Sequence, residues 1–444
     1  MSMLRLDDRL LGRFRVDAQI AEGGMGVVYR GFDLAIDHPI AIKVLRHDAI
    51  ENAARFEREA TILATLDHPG VIRYVAHGVT HDGAPFLVIE WIEGTTLADH
   101  VERVGLTPAE SVRVVQRVAE ALGAAHARGL VHRDVTPANV LLAGGDLTRA
   151  KVIDFGLVKR TSGDPRLTET GMVIGTPGYM APEQARGERE VDARTDVFAL
   201  GCVLYECLTG VPAFAGRNAA AVMARIVLCD PPALGDVWPA APAALERVVR
   251  HMLAKRPADR PADGSAIADE LAGVGIPDGP RVRRAAPDHV ATTAVHADHG
   301  HRADRAAAHV IFVRTGEPGA AAEPIVTPFG GRAHPLRDDT IVVVLRDAAP
   351  ATAAACALAL RDAFSAAPIV LVGPSEAGAA GAPLVSLLEA GAEALELADF
   401  RTIFGGDAPP LGTIRVDPAT AARLAATFEV RRDPGAHYLI GRRP

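Results

Sequence analysis

Length, composition and charge exclude several classes of protein. The chain has 444 residues, of which 49% are hydrophobic and 23% charged, which suits two or three globular domains. Its formal net charge of −8 at pH 7 gives no reason to expect binding to nucleic acid or to an acidic membrane surface. Because no apolar run reaches about 18 residues, the sequence predicts no membrane span.

The cysteines and the first residues of the chain favour a cytoplasmic protein. Cys202, Cys207, Cys229 and Cys356 are spaced neither as a metal motif nor as a disulfide framework, so we expect reduced, buried thiols. The start, Met1-Ser2-Met3-Leu4-Arg5, lacks the apolar core of a signal peptide.

The first predicted strands enclose a glycine-rich turn. After a short tail, residues 1–13, Phe14-Arg15-Val16 predicts a strand, and the stretch from Ile20 to Tyr29 predicts a turn that enters a second strand. Glycines let backbone amides approach phosphates closely, although an ordinary hairpin turn is the alternative here. Lys43, one of four lysines, lies in the apolar strand from Ile40 to Leu45, where a lysine needs an anionic partner such as a phosphate or a carboxylate.

Further predicted elements lead to the most informative stretch. A helix follows with Phe56, Ile62 and Leu63 as its apolar side chains, and two strands are predicted at residues 71–75 and 86–94. Thr107-Pro108-Ala109-Glu110 is a capping box that begins a long core helix, which ends near Gly129.

The stretch from Leu130 to Gly156 combines a hairpin pattern with oxygen-bearing side chains. Two apolar runs flank the turn Gly144-Gly145-Asp146. Asp134, Asn139 and Asp154 lie near the ends of these runs. Oxygen ligands suit Mg²⁺, and a further carboxylate can receive a proton from a hydroxyl group.

The spelling of this stretch resembles the protein kinase family. His132-Arg133-Asp134 with Asn139 is similar to the kinase catalytic loop, and Asp154-Phe155-Gly156 to its metal-binding loop. About ten motif elements follow in the family's order from Phe14 to Leu271. The resemblance implies an α+β fold with two lobes: a small β-rich lobe at about 14–92 and a large α-helical lobe at about 93–272.

The resemblance also implies which residues bind the cofactors, ATP and Mg²⁺. Asp134 is the catalytic base, Asn139 and Asp154 hold the metal, and Lys43 holds phosphates while it pairs with Glu59, with Glu57 as the alternative. Backbone groups of Glu90 and Ile92 face the adenine. The remaining nucleotide-binding residues are Ala21, Glu22, Gly23, Gly24, Met25, Gly26, Val28 and Ala41.

Two residues depart from the family pattern. Ala21 replaces the usual first glycine of the nucleotide loop, and Thr136, a candidate catalytic residue, replaces the usual lysine of the catalytic loop. Thr136 can donate a hydrogen bond but brings no charge to the transferred phosphate. These departures keep open a second hypothesis, a nucleotide-binding pseudokinase scaffold that signals through its C-terminal domain.

The resemblance assigns regulatory and structural residues beyond the catalytic loop. Arg133 would receive a phosphorylated side chain, and Thr168 and Thr170 lie where similar bacterial kinases are phosphorylated on the activation loop. Thr176 would bond near Asp134. The structural roles fall to Asp196, which would anchor the catalytic-loop backbone, and to a pair formed by Glu183 and Arg260.

The rest of the chain predicts a linker and a second domain. Residues 273–308 lack apolar periodicity, and their four histidines, at positions 289, 296, 299 and 301, match no metal motif. Strands and helices alternate again over residues 309–444, which predicts an α/β or α+β domain. Gly330-Gly331-Arg332 precedes Asp338-Asp339-Thr340 and its strand, and the chain closes with Val416-Asp417-Pro418-Ala419-Thr420 and Phe428-Glu429-Val430. On these motifs the domain resembles a nucleotidyl-cyclase homology domain of the ferredoxin-like kind. Its first strand carries no carboxylate, whereas Asp338 or Asp339 is a candidate remnant of a metal site.

The interpretation is therefore a cytoplasmic protein serine/threonine kinase with a degenerate cyclase-like regulatory domain. It would transfer the γ-phosphoryl group of ATP to hydroxyl groups of protein substrates, under the control of autophosphorylation in the activation loop. Cyclase activity of the second domain is a further hypothesis. The sequence leaves open the substrates and the formation of a homodimer.

Overall fold

The computed structural model divides the chain into two compact units. It describes residues 4–23, 26–45, 53–155, 177–188, 190–277, 279–284, 308–315, 321–336, 339–365, 367–374, 384–404, 413–433 and 436–443. Unit 1 consists of Met1–Tyr179, Val191–Val211 and Ala240–Ala285. Unit 2 consists of Met180–Glu190, Pro212–Pro239 and Ala286–Pro444.

An antiparallel six-stranded sheet forms the first part of unit 1. Its strands are β1 (Arg9–Leu10), β2 (Phe14–Gly23), β3 (Gly26–Asp33), β4 (His38–Leu45), β5 (Tyr74–Val79) and β6 (Pro85–Glu90), in the spatial order β1-β2-β3-β4-β6-β5. Apolar side chains such as Phe14, Tyr29 and Phe86 fill one core because side chains of a strand alternate between its two faces. The predicted strand at residues 71–75 is displaced along the chain, since β5 begins only at Tyr74.

Helices form most of the remainder of unit 1. They are α1 (Ala53–Ala64), α2 (Leu97–Arg103), α3 (Pro108–His126), α5 (Ala193–Thr209), α8 (Ala243–Met252) and α9 (Gly264–Ala272). The predicted capping box of α3 is confirmed: the Glu110 amide donates to Thr107 Oγ1 over 3.2 Å, and the Thr107 amide donates to Glu110 Oε2 over 2.9 Å. These reciprocal bonds satisfy two amides that a helix start otherwise leaves unpaired.

A small sheet positions the catalytic stretch. β7 (Gly94–Thr96), β8 (Val140–Ala143) and β9 (Ala150–Val152) are antiparallel. The predicted hairpin is confirmed for β8 and β9, which pair in the register Val140↔Val152. Residues 130–139 form no strand; this part of the chain runs through irregular backbone to a short 3₁₀ turn at Pro137–Asn139.

Unit 2 contains a mixed seven-stranded sheet. The strands are β10 (Ala308–Arg314), β11 (Arg332–Pro335), β12 (Thr340–Arg346), β13 (Ile369–Val372), β14 (Ile414–Val416), β15 (Phe428–Asp433) and β16 (Ala436–Arg442), in the order β11-β12-β10-β13-β14-β16-β15. Only β13 and β14 run parallel. The four strands predicted in this part of the chain are confirmed, whereas β11, β15 and β16 were not predicted.

The helices of unit 2 come from two separate parts of the chain. α4 (Pro182–Ala185), α6 (Ala219–Leu228) and α7 (Leu234–Val237) precede the sheet, and α10 (Glu323–Val326), α11 (Pro350–Ala363), α12 (Leu384–Phe404) and α13 (Pro418–Leu424) are interleaved with it. Side chains from α11, β10 and β12 share an apolar core. Among the described residues, no helix is both long and apolar enough to cross a membrane.

Ion pairs explain why α6 groups with the C-terminal sheet. Arg225 on α6 is mostly buried, and its Nη1 atom lies 3.2 Å from Glu389 Oε1 on α12. The exposed pair of Arg217 and Glu393 approaches to 3.1 Å. The compact units therefore do not divide the chain at the predicted linker alone, because residues 212–239 contact the C-terminal part.

Part of the predicted linker is bound to unit 1. The Val282 amide donates to the Leu106 carbonyl over 2.8 Å, and the Leu106 amide donates to the Val282 carbonyl over 2.9 Å. This two-residue bridge corrects the expectation of a tether that begins at residue 273. The four linker histidines lie outside the described residues.

Candidate active site

The β8–β9 hairpin brings the predicted catalytic residues together in unit 1. Asn139 directly precedes β8 and Ile153 directly follows β9, and the Ile153 amide donates to the Asn139 carbonyl over 3.0 Å. Asn139 Nδ2 donates to the Asp134 carbonyl over 2.7 Å and to Asp134 Oδ2 over 3.1 Å. The carboxylates of Asp134 and Asp154, 20 residues apart in the sequence, are thereby held on adjoining loops.

Two residues of these loops adopt unusual backbone conformations. Arg133 has φ +66° and Asp154 has φ +59°, in the left-handed region that costs an ordinary side chain about 1 kcal/mol or more. The Arg133 amide is bound by the Asp196 carboxylate, and the Asp154 carboxylate is bound by Lys43. Such local strain is typical of positions where the direction of a side chain matters more than the stability of the backbone.

The buried carboxylate of Asp196 fixes the backbone before the catalytic loop, as predicted. Its Oδ2 atom accepts from the His132 amide and its Oδ1 atom from the Arg133 amide, each over 2.7 Å. His126 Nε2 donates to Oδ2 over 2.8 Å, and His126 Nδ1 accepts from the Gly264 amide, which is the arrangement of a neutral imidazole. Burial opposes ionisation of Asp196, but these hydrogen bonds outweigh it and lower the pKa of the carboxyl group.

His132 is a packing residue, as expected. It is fully buried, its ring lies 4.8 Å from the Phe155 ring, and its Nε2 atom is 2.8 Å from the Ile153 carbonyl oxygen. Its Nδ1 atom accepts from the Asp134 amide over 3.2 Å. A neutral ring with the proton on Nε2 satisfies both contacts, so His132 connects the two loops without a charge.

Lys43 and Arg133 have partners in the structure that differ from the predicted ones. Lys43 Nζ lies 2.9 Å from Asp154 Oδ1, whereas the Glu59 carboxylate contacts Arg133 Nη1 at 3.1 Å. The predicted ion pair of Lys43 and Glu59 is not among those of the described residues. Both cations are largely shielded from water and need an anion nearby. Lys43 takes Asp154 instead of the predicted Glu59, and Arg133 takes Glu59 where a phosphorylated side chain was predicted. The alternative carboxylate, Glu57, is exposed.

The nucleotide-loop residues lie beside Lys43 on neighbouring strands. Val28 of β3 pairs with Lys43 of β4, and Ala21 of β2 pairs with Val28. Gly26 is the glycine that this turn requires: its φ is +150°, and a Cβ atom there would lie 2.1 Å from the Val44 carbonyl oxygen. Glu22 and Gly23 end β2, and Ala41 is buried on β4, whereas Gly24 and Met25 fall outside the described residues.

Glu90 makes a side-chain contact that was not predicted. Its Oε1 atom lies 2.6 Å from Lys151 Nζ and accepts from the Arg73 amide over 2.8 Å. Only the backbone groups of Glu90 and Ile92 had been considered for adenine. The small number of lysines in the sequence could have pointed to this contact. The chain has four, and two of them, Lys43 and Lys151, form ion pairs next to the β8–β9 hairpin.

The remaining predicted residues lie on surrounding elements or outside the description. Thr136 is half-buried and precedes the 3₁₀ turn, without a capping hydrogen bond from its side chain. Glu183 in α4 is buried. Arg260 is also buried and donates to the carbonyls of Ala254, Arg194 and Lys255. The predicted residues Thr168, Thr170 and Thr176 lie outside the described residues.

This arrangement can hold a cation beside a hydrogen-bond acceptor. The Asn139 amide nitrogen makes both bonds to Asp134, which leaves the amide oxygen for a metal, and Asp154 supplies a carboxylate. No group of three or more His, Cys, Asp or Glu side chains suited to a metal occurs in the described part of the chain. A Mg²⁺ site fits two protein ligands only if ligand phosphates and waters complete it, which is the usual way in which proteins bind this ion.

Comparison with known proteins assigns the fold to a class. The family model for the protein kinase domain matches residues 14–271, which include the glycine-rich turn, Lys43 and both catalytic loops. The chain therefore belongs to the protein kinase family. Its fold is the two-lobed kinase fold, with a β-rich N-terminal lobe and a helical C-terminal lobe.

The similar proteins are bacterial kinases. Serine/threonine-protein kinase pkn3 of Myxococcus xanthus is 38% identical over 273 residues, which are 59% of this chain and 50% of the relative. PknB of Mycobacterium tuberculosis is 38% identical over 259 residues, 56% of this chain and 41% of the relative. The chain thus spans about half or less of these relatives. The crystal structure of the M. tuberculosis PknI kinase domain is 29% identical, with a TM-score of 0.50, and covers 61% of this chain and 99% of that structure.

Proposed function

We propose that the chain is a cytoplasmic protein serine/threonine kinase that transfers the γ-phosphoryl group of ATP to hydroxyl groups of proteins. The observation that carries this proposal is the joint placement of Asp134, Asn139 and Asp154 by one hairpin, with Lys43 at 2.9 Å from Asp154. The names of the similar proteins, serine/threonine-protein kinases, support the substrate class.

Each residue of the site has a role that follows from its contacts. Asp134, oriented by the Asn139 amide at 3.1 Å, accepts the hydrogen bond of the substrate hydroxyl group and directs its oxygen. Lys43 exchanges its contact with Asp154 for phosphate oxygens when a nucleotide binds. Asn139 and Asp154 would hold Mg²⁺, which when bound would neutralise charge on the phosphates. Catalysis in this class is mostly positioning and electrostatic stabilisation.

The same proposal includes control by the activation loop. Phosphate on Thr168 or Thr170 would compete with Glu59 for Arg133, because a phosphoryl group carries more charge and more acceptor oxygens than a carboxylate. Glu59 would then be available to Lys43. The observed contact of Arg133 with Glu59 at 3.1 Å supports this exchange as a switch between two arrangements of the site.

Phosphate incorporation tests the kinase proposal. The purified chain, first dephosphorylated, is incubated with Mg²⁺ and ATP and analysed by mass spectrometry, with Asp154→Asn as the matched variant. We expect phosphate on Thr168 or Thr170 in the parent chain only. The folded parent chain is also tested with a generic protein substrate. Absence of transfer in both assays would contradict the proposal and favour the pseudokinase scaffold, which Ala21 and Thr136 motivate.

The C-terminal part is proposed to be a regulatory domain of a degenerate cyclase-like kind. Its first six elements, β10, α10, β11, β12, α11 and β13, follow the β-α-β-β-α-β order of ferredoxin-like folds. The sequence of β10 contains no carboxylate, which argues against a cyclase metal site. Its contact with α6, a helix of the part matched by the kinase family, supports a regulatory role.

The buried ion pair between α6 and α12 gives a prediction on stability. Glu389→Gln removes the charge that compensates Arg225, whose side chain is 9% exposed. We expect the free energy of unfolding of the full chain to fall by about 1–3 kcal/mol, as measured by denaturant unfolding. Exchanging the two charges in Arg225→Glu with Glu389→Arg should recover part of the loss that either single charge reversal causes.

The exposed pair beside it is the matched control. Arg217 and Glu393 are 65% and 51% exposed at 3.1 Å, so Glu393→Gln should change the free energy by no more than about 1 kcal/mol. If Glu389→Gln and Glu393→Gln changed the free energy of unfolding equally, and the variant with exchanged charges recovered none of it, the ion pair of Arg225 and Glu389 would not stabilise the contact between α6 and α12 in solution.

A further inference from the structure

A short segment beyond the kinase-family match is attached to unit 1 of the molecule. We call residues 279–284 the strap. Its backbone bonds to the turn between α2 and α3 through Val282 and Leu106, at 2.8 and 2.9 Å, and to α2 through the Arg284 amide and the Val101 carbonyl, at 3.2 Å. Arg281 adds an ion pair with Glu110 at 2.7 Å. The strap is therefore held along its length, although the family model ends at residue 271.

Two glycines of unit 1 leave room for the strap. Gly105 precedes the turn residue Leu106 and has φ +77°, and a Cβ atom there would lie 2.6 Å from the Val282 carbonyl oxygen. Gly210 ends α5 with φ +76°, and a Cβ atom there would lie 2.5 Å from the Arg283 carbonyl oxygen. Any larger residue at either position would collide with the backbone of the strap, so its path is built into the fold.

The strap supplies the cation for a buried carboxylate. Glu206 on α5 has a side chain that is 2% exposed, and its Oε1 atom lies 2.8 Å from Arg284 Nε. The Tyr179 hydroxyl group donates to Glu206 Oε2, and Arg284 Nη2 is 3.4 Å from the same hydroxyl oxygen. Burial raises the pKa of Glu206, while Arg284 and Tyr179 oppose that rise. Removing Arg284 would leave a desolvated acid without its counter-ion.

Tyr179 places this cluster next to the candidate phosphorylation sites in the sequence, and Glu206 shares a helix with Asp196. Tyr179 follows residues 161–176, the segment that contains the candidate phosphorylation sites, and its side chain is buried. Glu206 lies on α5, the helix that also carries Asp196, which holds the backbone of the catalytic loop. Replacing Arg284 would therefore disturb Tyr179 through a single carboxylate, that of Glu206, which both residues contact.

We propose that Arg284 is a positioning residue for the kinase reaction: through Glu206 it holds Tyr179, in the turn Pro177–Tyr179 that follows the predicted activation loop, in place for a protein substrate. This inference rests on the proposed kinase function. It makes phosphate transfer depend on a residue that lies beyond residues 14–271, the part that the kinase family model matches.

Steady-state kinetics of the full chain test the role of Arg284. For Arg284→Ala we expect kcat/KM for a peptide substrate to fall by about tenfold, the equivalent of one charge-assisted hydrogen bond, while KM for ATP stays unchanged. Arg284→Lys should recover part of the loss because it keeps the charge. Arg283→Ala, a neighbouring exposed arginine of the strap, is the matched control and should behave as the parent.

The outcomes separate the two proposals. Loss of transfer in the parent chain itself would defeat the kinase function, whereas an active parent with equal peptide kinetics in Arg284→Ala would overturn only the role of Arg284. If Arg284→Ala does not fold, the charge-neutral combination with Glu206→Gln is used, because it leaves no unpaired buried charge. Parent-like peptide kinetics in that folded variant would overturn the inference, and a selective loss would support it.

Discussion

Asp134→Asn is expected to lower the rate of phosphate transfer by about 10²–10⁴-fold, the usual contribution of a catalytic acid or base. The substitution keeps the shape of the side chain, so the contact with Asn139, 3.1 Å in the parent, can be retained through the amide oxygen. An amide cannot accept the proton of the substrate hydroxyl group as a carboxylate does. Initial-rate assays with saturating ATP and Mg²⁺ measure the effect, and binding of an ATP analogue should be unchanged.

Asp146→Asn is the control for this experiment. Asp146 is a nearby acid in the β8–β9 turn, where it accepts from the Thr148 amide over 2.8 Å and is exposed. Its replacement should leave the transfer rate within about twofold of the parent, since among the described residues its side chain bonds to Thr148 in the turn and not to Asp134, Asn139 or Asp154. If Asp134→Asn were as active as Asp146→Asn, Asp134 would not be the catalytic base.

Asp196→Ala is expected to reduce both stability and activity. Three donors, the amides of His132 and Arg133 and the imidazole of His126, lose their acceptor in a site without water access. Each buried donor left without a partner costs about 1–3 kcal/mol, so we expect the free energy of unfolding to fall by at least about 3 kcal/mol. Denaturant unfolding measures this loss. Phosphate transfer should also become slower, because the backbone of His132 and Arg133 is no longer held and Asp134 loses its fixed position.

The pH dependence of stability provides an independent test of Asp196. In the folded protein, hydrogen bonds to the Asp196 carboxylate hold the pKa of this group below its ordinary value of 3.8. The carboxylate therefore stabilises the fold fully above that value, and the contribution is lost as the pH falls through the folded pKa. The parent chain should lose stability more steeply below about pH 4 than Asp196→Ala. Parallel curves would contradict the assignment, and exposed Asp269→Asn should follow the parent.

Two ion pairs balance the charges of the candidate site. Lys43 with Asp154 and Arg133 with Glu59 each place a cation against a carboxylate. A nucleotide and a phosphorylated threonine would compete for the two cations. The catalytic loop, by contrast, is held by uncharged contacts of His132 and by the buried Asp196, which do not depend on either ligand.

Local sequence patterns were sufficient to predict much of this molecule. The capping box at Thr107 and Glu110 and the hairpin around Gly144 follow from short spacings along the chain, because backbone hydrogen bonds and turn preferences act over a few residues. The roles of Asp134 and Asn139 came from the resemblance of their motif to the kinase catalytic loop. The match to the kinase family over residues 14–271 confirms the class of protein that these motifs indicated.

The tertiary structure alone decided which charged side chains meet. Lys43 and Asp154 are 111 residues apart, Arg225 and Glu389 are 164 apart, and Arg284 and Glu206 are 78 apart. No spacing rule links such residues, since each pairing depends on how whole elements pack and on the need of a buried charge for the nearest opposite charge. The sequence by itself therefore determined the family and the candidate catalytic groups, and the packing determined their partners and the attachment of the strap.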